Sequence, residues 1–586
     1  MIVPLVKVTV CGLLKDKERV LAGLQEIGCL HIIPLRTEEG LRCEGAASAQ
    51  SRDALKFLLA CPQRRRQVTD PSRLDAAAVE RQALDLQRRI QTLQDERDFL
   101  RGRINDLKPW GDFVFPPPEA LGNLKLWFYA VPHGDMGKVR ATDLVWDVVR
   151  RDRGLCYVVV ASQEEPKGMP VERTRTGSKS LAELSHRLEE VEITLEDLQA
   201  ERASLTRWCH LFARRLSYLE DRADLLAATR QTRDEDPIFA LQAWAPREKV
   251  EELRAFARDM RLVLDVKAPD HRENPPALLR NPPALAGGED LVSFYMTPSY
   301  WLWDPSTVVF FAFAIFFAMI LSDAGYALIL GLGLLARWKR MGRSDFGKRF
   351  RALLLAIVVA SAVWGVLIGS YFGMTPSRGS LLSHLNVLDL NNFSQMMQLS
   401  ILMGVAHLIL GNAVTAWHAR RSVQALAPVG WILLFIGAVV LWLGSGRTAW
   451  TRPGAAAIAV GGAAVLLFSH VEGPLWGRLL GGLHELTRLS GAFGDSLSYL
   501  RLFALGLAGA SLAVTFNQLA GDLHEWVPGI GLLLAILLVI FGHSLNLLLG
   551  ISGGVIHGLR LNFIEFFHWS ISREGPPFQV FCRREK

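Results

Sequence analysis
The sequence predicts an α-helical polytopic membrane domain of about eight transmembrane helices, the last two long and tilted. Ahead of it the sequence predicts a cytoplasmic α+β domain in which an antiparallel coiled-coil hairpin lies between two small lobes. Three observations lead to this fold class. From Met1 to about Pro298 charge is frequent and no apolar run approaches the roughly 20 residues of a spanning helix, whereas beyond Pro305 such runs follow one another. Two segments of the first half carry a sustained seven-residue apolar repeat. Two arginines, Arg501 and Arg560, sit inside the apolar C-terminal third.

Whole-chain averages blend the two halves. The 586 residues are 50% hydrophobic and 21% charged, with a mean hydropathy of +0.20, too apolar for a wholly soluble chain and too charged for a wholly membrane one. The net charge of +7 is spread through basic loops beside the apolar runs, the ordinary positive-inside pattern, and no nucleic-acid partner is expected. Seven cysteines (Cys11, Cys29, Cys43, Cys61, Cys156, Cys209 and Cys582) stand singly without CxxC spacing and fit reduced thiols on a cytoplasmic face, and no metal site or cofactor is expected. Residues 1–10 alternate like a strand and lack the basic, apolar and small-residue regions of a signal peptide.

In chain order, residues 1–75 and 226–270 are expected to form the proximal lobe. Val6–Val10, Lys17–Ile27 and Leu30–Pro34 read as strand, helix and strand, and Phe239–Trp244, Glu248–Met260 and Leu262–Val266 repeat that order. The first coiled-coil arm, 76–108, places Val79, Ala83, Leu86, Ile90, Leu93, Leu100, Ile104 and Leu107 on one seam, with Arg97 in the missing place. The second arm, 179–225, continues the rule from Leu181 through Leu205, Cys209, Phe212 and Leu216 to Leu219, with Arg202 in the gap. Paired antiparallel, the arms make a rod of roughly 45 Å or more. Between them, 109–178 holds the distal lobe with strands at Leu126–Val131 and Cys156–Ala161. The Pro-rich stretch Glu273–Pro283 marks a linker, 271–304, into the membrane domain, 305–586.

Charge parity shapes the membrane topology. Thr307–Ala336 holds one charge, Asp323, and runs into a strongly basic loop, so it must enter and leave on the same side, turning near Ser322–Gly325. Further spans are expected near Ala352–Phe372, Met396–Ala416, Gly430–Leu443 and Ala455–Phe468, then a long one ending near Ala520 and a last one over Ile530–Phe567. Both termini then fall in the cytoplasm, with Arg447 and Arg452 on the unfavoured side. At 1.5 Å per residue the last stretch reaches roughly 57 Å against a hydrocarbon core of about 30 Å, so it must tilt or project.

A guanidinium cannot shed its proton, and at the bilayer centre it costs at least about 2.5 kcal/mol, so Arg501 and Arg560 should face protein, water or a carboxylate. On the last helix His543, Asn546, Gly550, Gly553, His557 and Arg560 share an arc of about 100°. On the preceding helix Asp495, Ser498 and Gly509 lie on the side of Arg501, with Gly506 close by. Spacing alone also fits arginines that snorkel to the interface, histidines that merely pack, and Asp323 as a turn residue.

The segment Ser498–Ala508, with its SYLRLFALGLA sequence, resembles the signature of the a/I subunit of V-type and A/V-type rotary ATPases of bacteria and archaea. Gly542–Asn546 and His557–Phe567 resemble that family's last helix, and weaker matches run in order through Ser322–Tyr326, Gly365–Gly373, His407–Gly411 and Gly575–Phe581. The resemblance covers essentially the whole chain. It implies a stator subunit in a prokaryotic plasma membrane that passes protons through offset half-channels to carboxylates on a rotating ring of proteolipid c/K subunits. Arg501 and Arg560 match the two essential arginines, and His557, Glu565, Asp495, Ser498, His543, Asn546 and Asp323 become candidate channel lining. Gly506, Gly509, Gly550 and Gly553 become candidates for close approach to the ring. Gly509 and Gly550 depart from eukaryotic relatives, so those relatives' half-channel residues do not transfer.

Implied partners are the ring, peripheral stalk subunits, a central rotor cap, the soluble nucleotide-binding V1/A1 sector and membrane lipid. No GxxxxGK[ST] phosphate loop occurs, so the chain is expected to be non-catalytic on its own. Two other classes stay open: a secondary transporter with a cytoplasmic arm, against which no internal repeat is seen, and a membrane tether whose arginines merely snorkel.

Overall fold
The structure, a computed structural model, describes residues 1–35, 48–113, 122, 124–152, 154–174, 176–177, 179–377, 379–388, 392–444, 448–470, 475–571 and 573–584. Cys43 and Arg447 lie outside these described residues. Two compact units emerge, one of Met1–Leu13, Cys29–Ile33 and Ile238–Val580, the other of Leu14–Gly28, Pro34–Pro237 and Phe581–Lys586.

In the first unit, strands His31–Ile33, Ile238–Pro246, Leu5–Leu13 and Val263–Lys267 pair in that order, all antiparallel. Period-two alternation sets the register, with Val8 opposite both Ala243 and Val266. Val8, Val10, Phe239, Leu241 and Ala243 are buried together on one covered face of the sheet. The helix Val250–Asp259 buries Val250, Leu253 and Ala257, one stripe of an amphipathic helix. Cys29 is buried, and burial, with Glu252 adding and Lys249 opposing, pushes its thiol up to about 11. Its thiolate fraction at pH 8 is therefore small, and Cys29 is expected to resist iodoacetamide at that pH until the chain is unfolded. Equal labelling of Cys29 in native and denatured protein, read by peptide mass spectrometry, would refute this.

The Pro-rich linker is strapped down along its length. Val3 N–H donates to the Leu278 carbonyl at 2.8 Å, Ala277 N–H to the Pro576 carbonyl at 2.9 Å, and Trp301 Nε1 to the Glu273 carbonyl at 3.1 Å. Prolines cannot donate, so neighbouring segments supply the hydrogen bonds.

Among the described residues, six helical stretches are long and apolar enough to cross a membrane: Asp345–Ile368, Phe393–His418, Val423–Leu443, Ala449–Phe468, Trp476–Trp526 and Gly531–Ser570. The expected hairpin precedes them as two shorter arms, Ser306–Leu321 and Ala324–Met341. Its turn falls at Ser322, in the left-handed region at φ 47°, and Asp323 caps the second arm by accepting from Tyr326 N–H at 3.0 Å. The helices pack through glycine. A Cβ on Gly365 would sit 2.2 Å from Ala324 N, and one on Gly404 would sit 2.4 Å from the Tyr499 ring.

In the second unit, Ala76–Leu107 and Leu181–Leu205 pack on one cluster that contains Val79, Ala83, Leu86, Ile90, Leu184, Val191, Leu195 and Leu198. Arg187–Glu96 at 2.9 Å and Arg101–Glu192 at 2.6 Å tie the arms together. The apolar repeat runs on past Leu205, but the helix does not. A 3₁₀ turn, Thr206–Trp208, breaks it before Cys209–Gln231. Thr206 Oγ1 donates to the Ala203 carbonyl at 2.7 Å and accepts from Arg65 N–H at 2.9 Å, a side-chain alternative to the helical ladder. The distal sheet adds a third strand, Val145–Arg151, to Lys125–Pro132 and Leu155–Ser162, with Leu155–Ser162 in the centre.

Candidate functional site
The long apolar run before the last helix is three helices, Leu475–Leu486, Leu489–Ser498 and Leu500–Trp526. Ser496 and Ser498 turn their hydroxyls back onto the carbonyls of Ala492 and Gly494, at 2.8 and 3.1 Å, a local competition that favours a bend there. Tyr499 anchors the bend. Its ring is fully buried, edge-on to Phe316, and its hydroxyl meets His407 Nδ1 at 2.8 Å. His407 in turn stacks on Phe566 with centroids 4.2 Å apart. Arg501, two residues beyond this anchor, is half-buried near the start of its helix.

Arg560 is the last residue of the regular helix Gly531–Arg560, and a π-helical turn, Leu561–Phe566, follows it. The i→i+5 geometry of that turn brings Glu565 back over Arg560, with Nε and Oε1 3.8 Å apart. Glu565 is buried, while the Arg560 side chain is half exposed. Phe563, Phe566 and Phe567 hold the turn against Val292, Trp303 and Val309. Arg501 lies within electrostatic reach of both Arg560 and Glu565, His557 within reach of both guanidiniums, and Ser498 beside the Glu565 carboxyl. Arg501 Nη1, His557 Nδ1 and Glu565 Oε2 are buried polar atoms without a hydrogen-bond partner among the described residues. Buried polar atoms are ordinarily paired, so three such atoms in one cluster set this place apart from a packed core.

The remaining candidates gather elsewhere. Asp323 accepts from Ser370 Oγ at 2.7 Å and from the backbone N–H groups of Phe372 and Gly373 at 3.0 Å. His543 Nδ1 meets the Tyr326 hydroxyl at 2.7 Å and its Nε2 meets Asn517 Oδ1 at 2.9 Å, while Asn517 donates to the Phe372 carbonyl at 2.7 Å. Asn546 donates to Tyr326 and to the Gly509 carbonyl at 3.0 and 2.8 Å. This second polar cluster is about 24 Å along the helix from Arg501, counting from Asn517, and about 21 Å from Arg560, counting from Asn546.

Asp495 joins neither cluster through its hydrogen bonds. It accepts from Trp569 Nε1 at 2.7 Å and lies 3.4 Å from His568 Nδ1. The four glycines have neighbours inside the chain: Gly506 fits under Met319 and Ser322, Gly550 against Leu321, Gly553 near Ile320 and Gly509 near Asn546. Tyr326, Ser370, His407, Asn517 and Tyr499 escaped the sequence reading. Tyr326, Ser370, His407 and Tyr499 fall within the resembling segments and Asn517 in none, but nothing in helical spacing marks a hydroxyl as a partner for a distant histidine or carboxylate.

Replacing Asp323 by Ala would leave the Phe372 and Gly373 N–H groups and the Ser370 hydroxyl without their acceptor. A loss of about 1–3 kcal/mol is expected for such a buried donor, with Asp323→Asn recovering part of it. The thermal midpoint of the detergent-solubilised protein tests this, and an Asp323→Ala midpoint equal to wild type would contradict it.

No family model matches the chain. It is 31% identical over 473 residues to the V-type ATP synthase subunit I of Chlamydia pneumoniae, covering 67% of this chain and 69% of that protein. It is 26% identical over 550 residues to the A-type ATP synthase subunit I of Methanocaldococcus jannaschii, covering 83% and 78%. Against the V-type ATP synthase subunit I 1 of Treponema pallidum it is 24% identical over 618 residues, 97% of each chain. A crystal structure of the cytoplasmic N-terminal domain of subunit I, homolog of subunit a, of V-ATPase aligns with 44% of this chain and 99% of its own at 18% identity and a TM-score of 0.21.

Proposed function
The chain belongs to the subunit I family of V-type and A-type ATP synthases, and we propose that it is the stator through which protons reach and leave a rotating ring of carboxylate-bearing helical hairpins. Six apolar helices make it an integral membrane protein, and its relatives come from bacteria and archaea. The observation that carries the reading is the pairing of two non-titrating cations, Arg501 and Arg560, with a buried acid, Glu565, between apolar helices.

A ring carboxylate crossing lipid is neutral, because ionised it would bear a desolvation cost of several kcal/mol. Beside a fixed guanidinium its ionised form is favoured, so it gives up a proton there and takes up another on leaving. Arginine holds no exchangeable proton at physiological pH, so it also prevents a direct leak between the two sides. His557, Glu565 and Ser498 supply polar groups at one end of the last two helices. Asp323, Tyr326, His543, Asn517 and Asn546 supply them at the other, and each cluster serves one half-channel. Asp495 acts by holding Trp569, and Gly506, Gly509, Gly550 and Gly553 bring the last two helices and the hairpin together so that the ring meets one continuous face. Both termini lie in the cytoplasm, where the coiled-coil arm with its lobes at 1–75, 109–178 and 226–270 anchors peripheral stalks and approaches the central rotor cap. The chain itself hydrolyses no ATP; a nucleotide-binding sector does.

Copurification from mild detergent tests the reading. A ring-forming hairpin protein and nucleotide-binding subunits are expected to accompany the tagged chain, and isolation as a solitary homodimer would overturn it.

A further inference from the structure
A cavity of about 910 Å³ lies at one end of the membrane helices, between the C-terminal ends of Phe393–His418 and Thr448–Phe468, the start of Leu426–Leu443, and the tail residues His568 to Ile571 with Arg573. This end carries Arg420 and Arg421 in its loop, the basic side of the membrane by charge. Four tryptophans line the cavity: Trp301, Trp303, Trp431 and Trp569. Tryptophan concentrates where hydrocarbon meets headgroup, because its ring is apolar and its N–H is polar. Three of these indoles have their N–H groups engaged, Trp301 with the Glu273 carbonyl at 3.1 Å, Trp303 with the Ser570 carbonyl at 3.1 Å and Trp569 with Asp495 at 2.7 Å, which fixes the rings as walls.

Two arginines stand against one acid among the described lining residues. Arg488 stacks over the Trp569 ring at 4.8 Å, donates to the His568 carbonyl at 3.3 Å and is ion-paired with Glu485, the only acid among the described lining residues. Arg573 is exposed and lines the same cavity, held by its backbone carbonyl, which accepts from Ser299 N–H at 3.2 Å. His418, His470 and His568 add imidazoles to a lining that also holds neutral groups such as Asn412, Thr415 and Gln424. The adjoining surface is apolar and open: Leu426 is 41%, Leu467 43% and Leu483 58% exposed.

We infer that this cavity binds the phosphate headgroup of an anionic glycerophospholipid, with Arg573 on the phosphate, Arg488 held behind it by Glu485 and the His568 carbonyl, and the tryptophans beside the glycerol. A guanidinium fork matches two phosphate oxygens, and the open leucine surface continues the path that acyl chains would follow. Free phosphate offers the same charge but leaves the four indoles and the leucines without a role. The inference does not rest on proton transfer, although its Trp569 wall is the side chain that Asp495 holds.

The complete membrane complex, stripped of lipid in mild detergent, is titrated with phosphatidylglycerol, phosphatidylcholine and inorganic phosphate, and bound lipid is counted by native mass spectrometry. Phosphatidylglycerol is expected to bind in preference to phosphatidylcholine. Arg573→Gln is expected to weaken it about tenfold, the loss of one charge-assisted contact, and Arg573→Lys to weaken it less. Because Arg573 is exposed, the substitution should leave assembly intact, which the same spectra report. Equal binding of both lipids, unchanged affinity in Arg573→Gln, or saturable binding of inorganic phosphate without lipid binding would each overturn the proposal.

Discussion

Replacing Arg501 by Gln is expected to abolish ATP-driven proton uptake into proteoliposomes while the complex still assembles. Arg501 is half-buried, reaches Arg560 and Glu565 electrostatically, and has a buried Nη1 without a partner. An arginine beside a carboxyl lowers its pKa by about 1 to 3, so removing it cuts the ionised population of a passing acid by about 10- to 1000-fold. Glutamine keeps hydrogen-bonding capacity and approximate length but carries no charge. Assembly should survive because Tyr499, Leu502 and Phe566 carry the packing around the site. Arg501→Lys is expected to fall between, since lysine keeps the charge but loses the planar fork and can titrate when desolvated. An assembled Gln variant that pumps at the wild-type rate would remove Arg501 from the proton path.

Gly365→Ala is expected to cost most of the folded protein. The added Cβ would lie 2.2 Å from Ala324 N and 2.7 Å from both Ala324 Cα and Asp323 C, all backbone atoms of the hairpin turn. No rotamer relieves a clash with backbone, and the two helices cannot part freely. Ala324 N–H donates to the Ser370 carbonyl at 2.8 Å, and Asp323 collects three further donors from the segment after Gly365. Overpacking costs about 1–3 kcal/mol and occasionally more, and this site lacks the slack that keeps the figure low. Gly521→Ala is the control, since its Cβ would meet nothing within 4 Å, and replacing a helical glycine there is expected to be neutral or stabilising by up to about 1 kcal/mol. Thermal midpoints of the two variants in detergent decide the matter, and equal midpoints would mean the hairpin does not pack as described.

The features most legible in the sequence were those that violate an apolar background. Arg501, Arg560 and Asp323 stand out because charge inside an apolar run is costly, and the Ser322–Asp323 turn followed from the need for an even number of crossings. The seams of the coiled coil and the alternation of Leu5–Leu13 were likewise visible as periods of 3.5 and 2.

What was not legible lies where regular periodicity stops. Counting 100° per residue put Asp495 on the side of Arg501, but the helix breaks at Tyr499, and Asp495 holds Trp569 instead. The same count ran straight through Phe567, whereas the π-helical turn Leu561–Phe566 is what returns Glu565 to Arg560. The second arm lost its straight course at Thr206, whose hydroxyl competes for a backbone carbonyl without disturbing the apolar repeat. Val145–Arg151 went unread because valine stands on its outward face, Val145 and Val149 at 75% and 50% exposed, so the inside-outside alternation of the strand does not appear as apolar against polar residues. Asp323 was read both as a turn residue and as channel lining, and its cap on Tyr326 accounts for the first of these.

The central claim is that two fixed cations confront a moving acid. A density map of the assembled, membrane-embedded complex measures this directly through the distances from the guanidiniums of Arg501 and Arg560 to the nearest ring carboxylate. Both side chains are expected to face the ring, with one carboxylate within about 4–6 Å of a guanidinium, the range over which an opposite charge favours ionisation. A map that placed either arginine against lipid headgroups or bulk water, on a face turned away from the ring, would contradict the account.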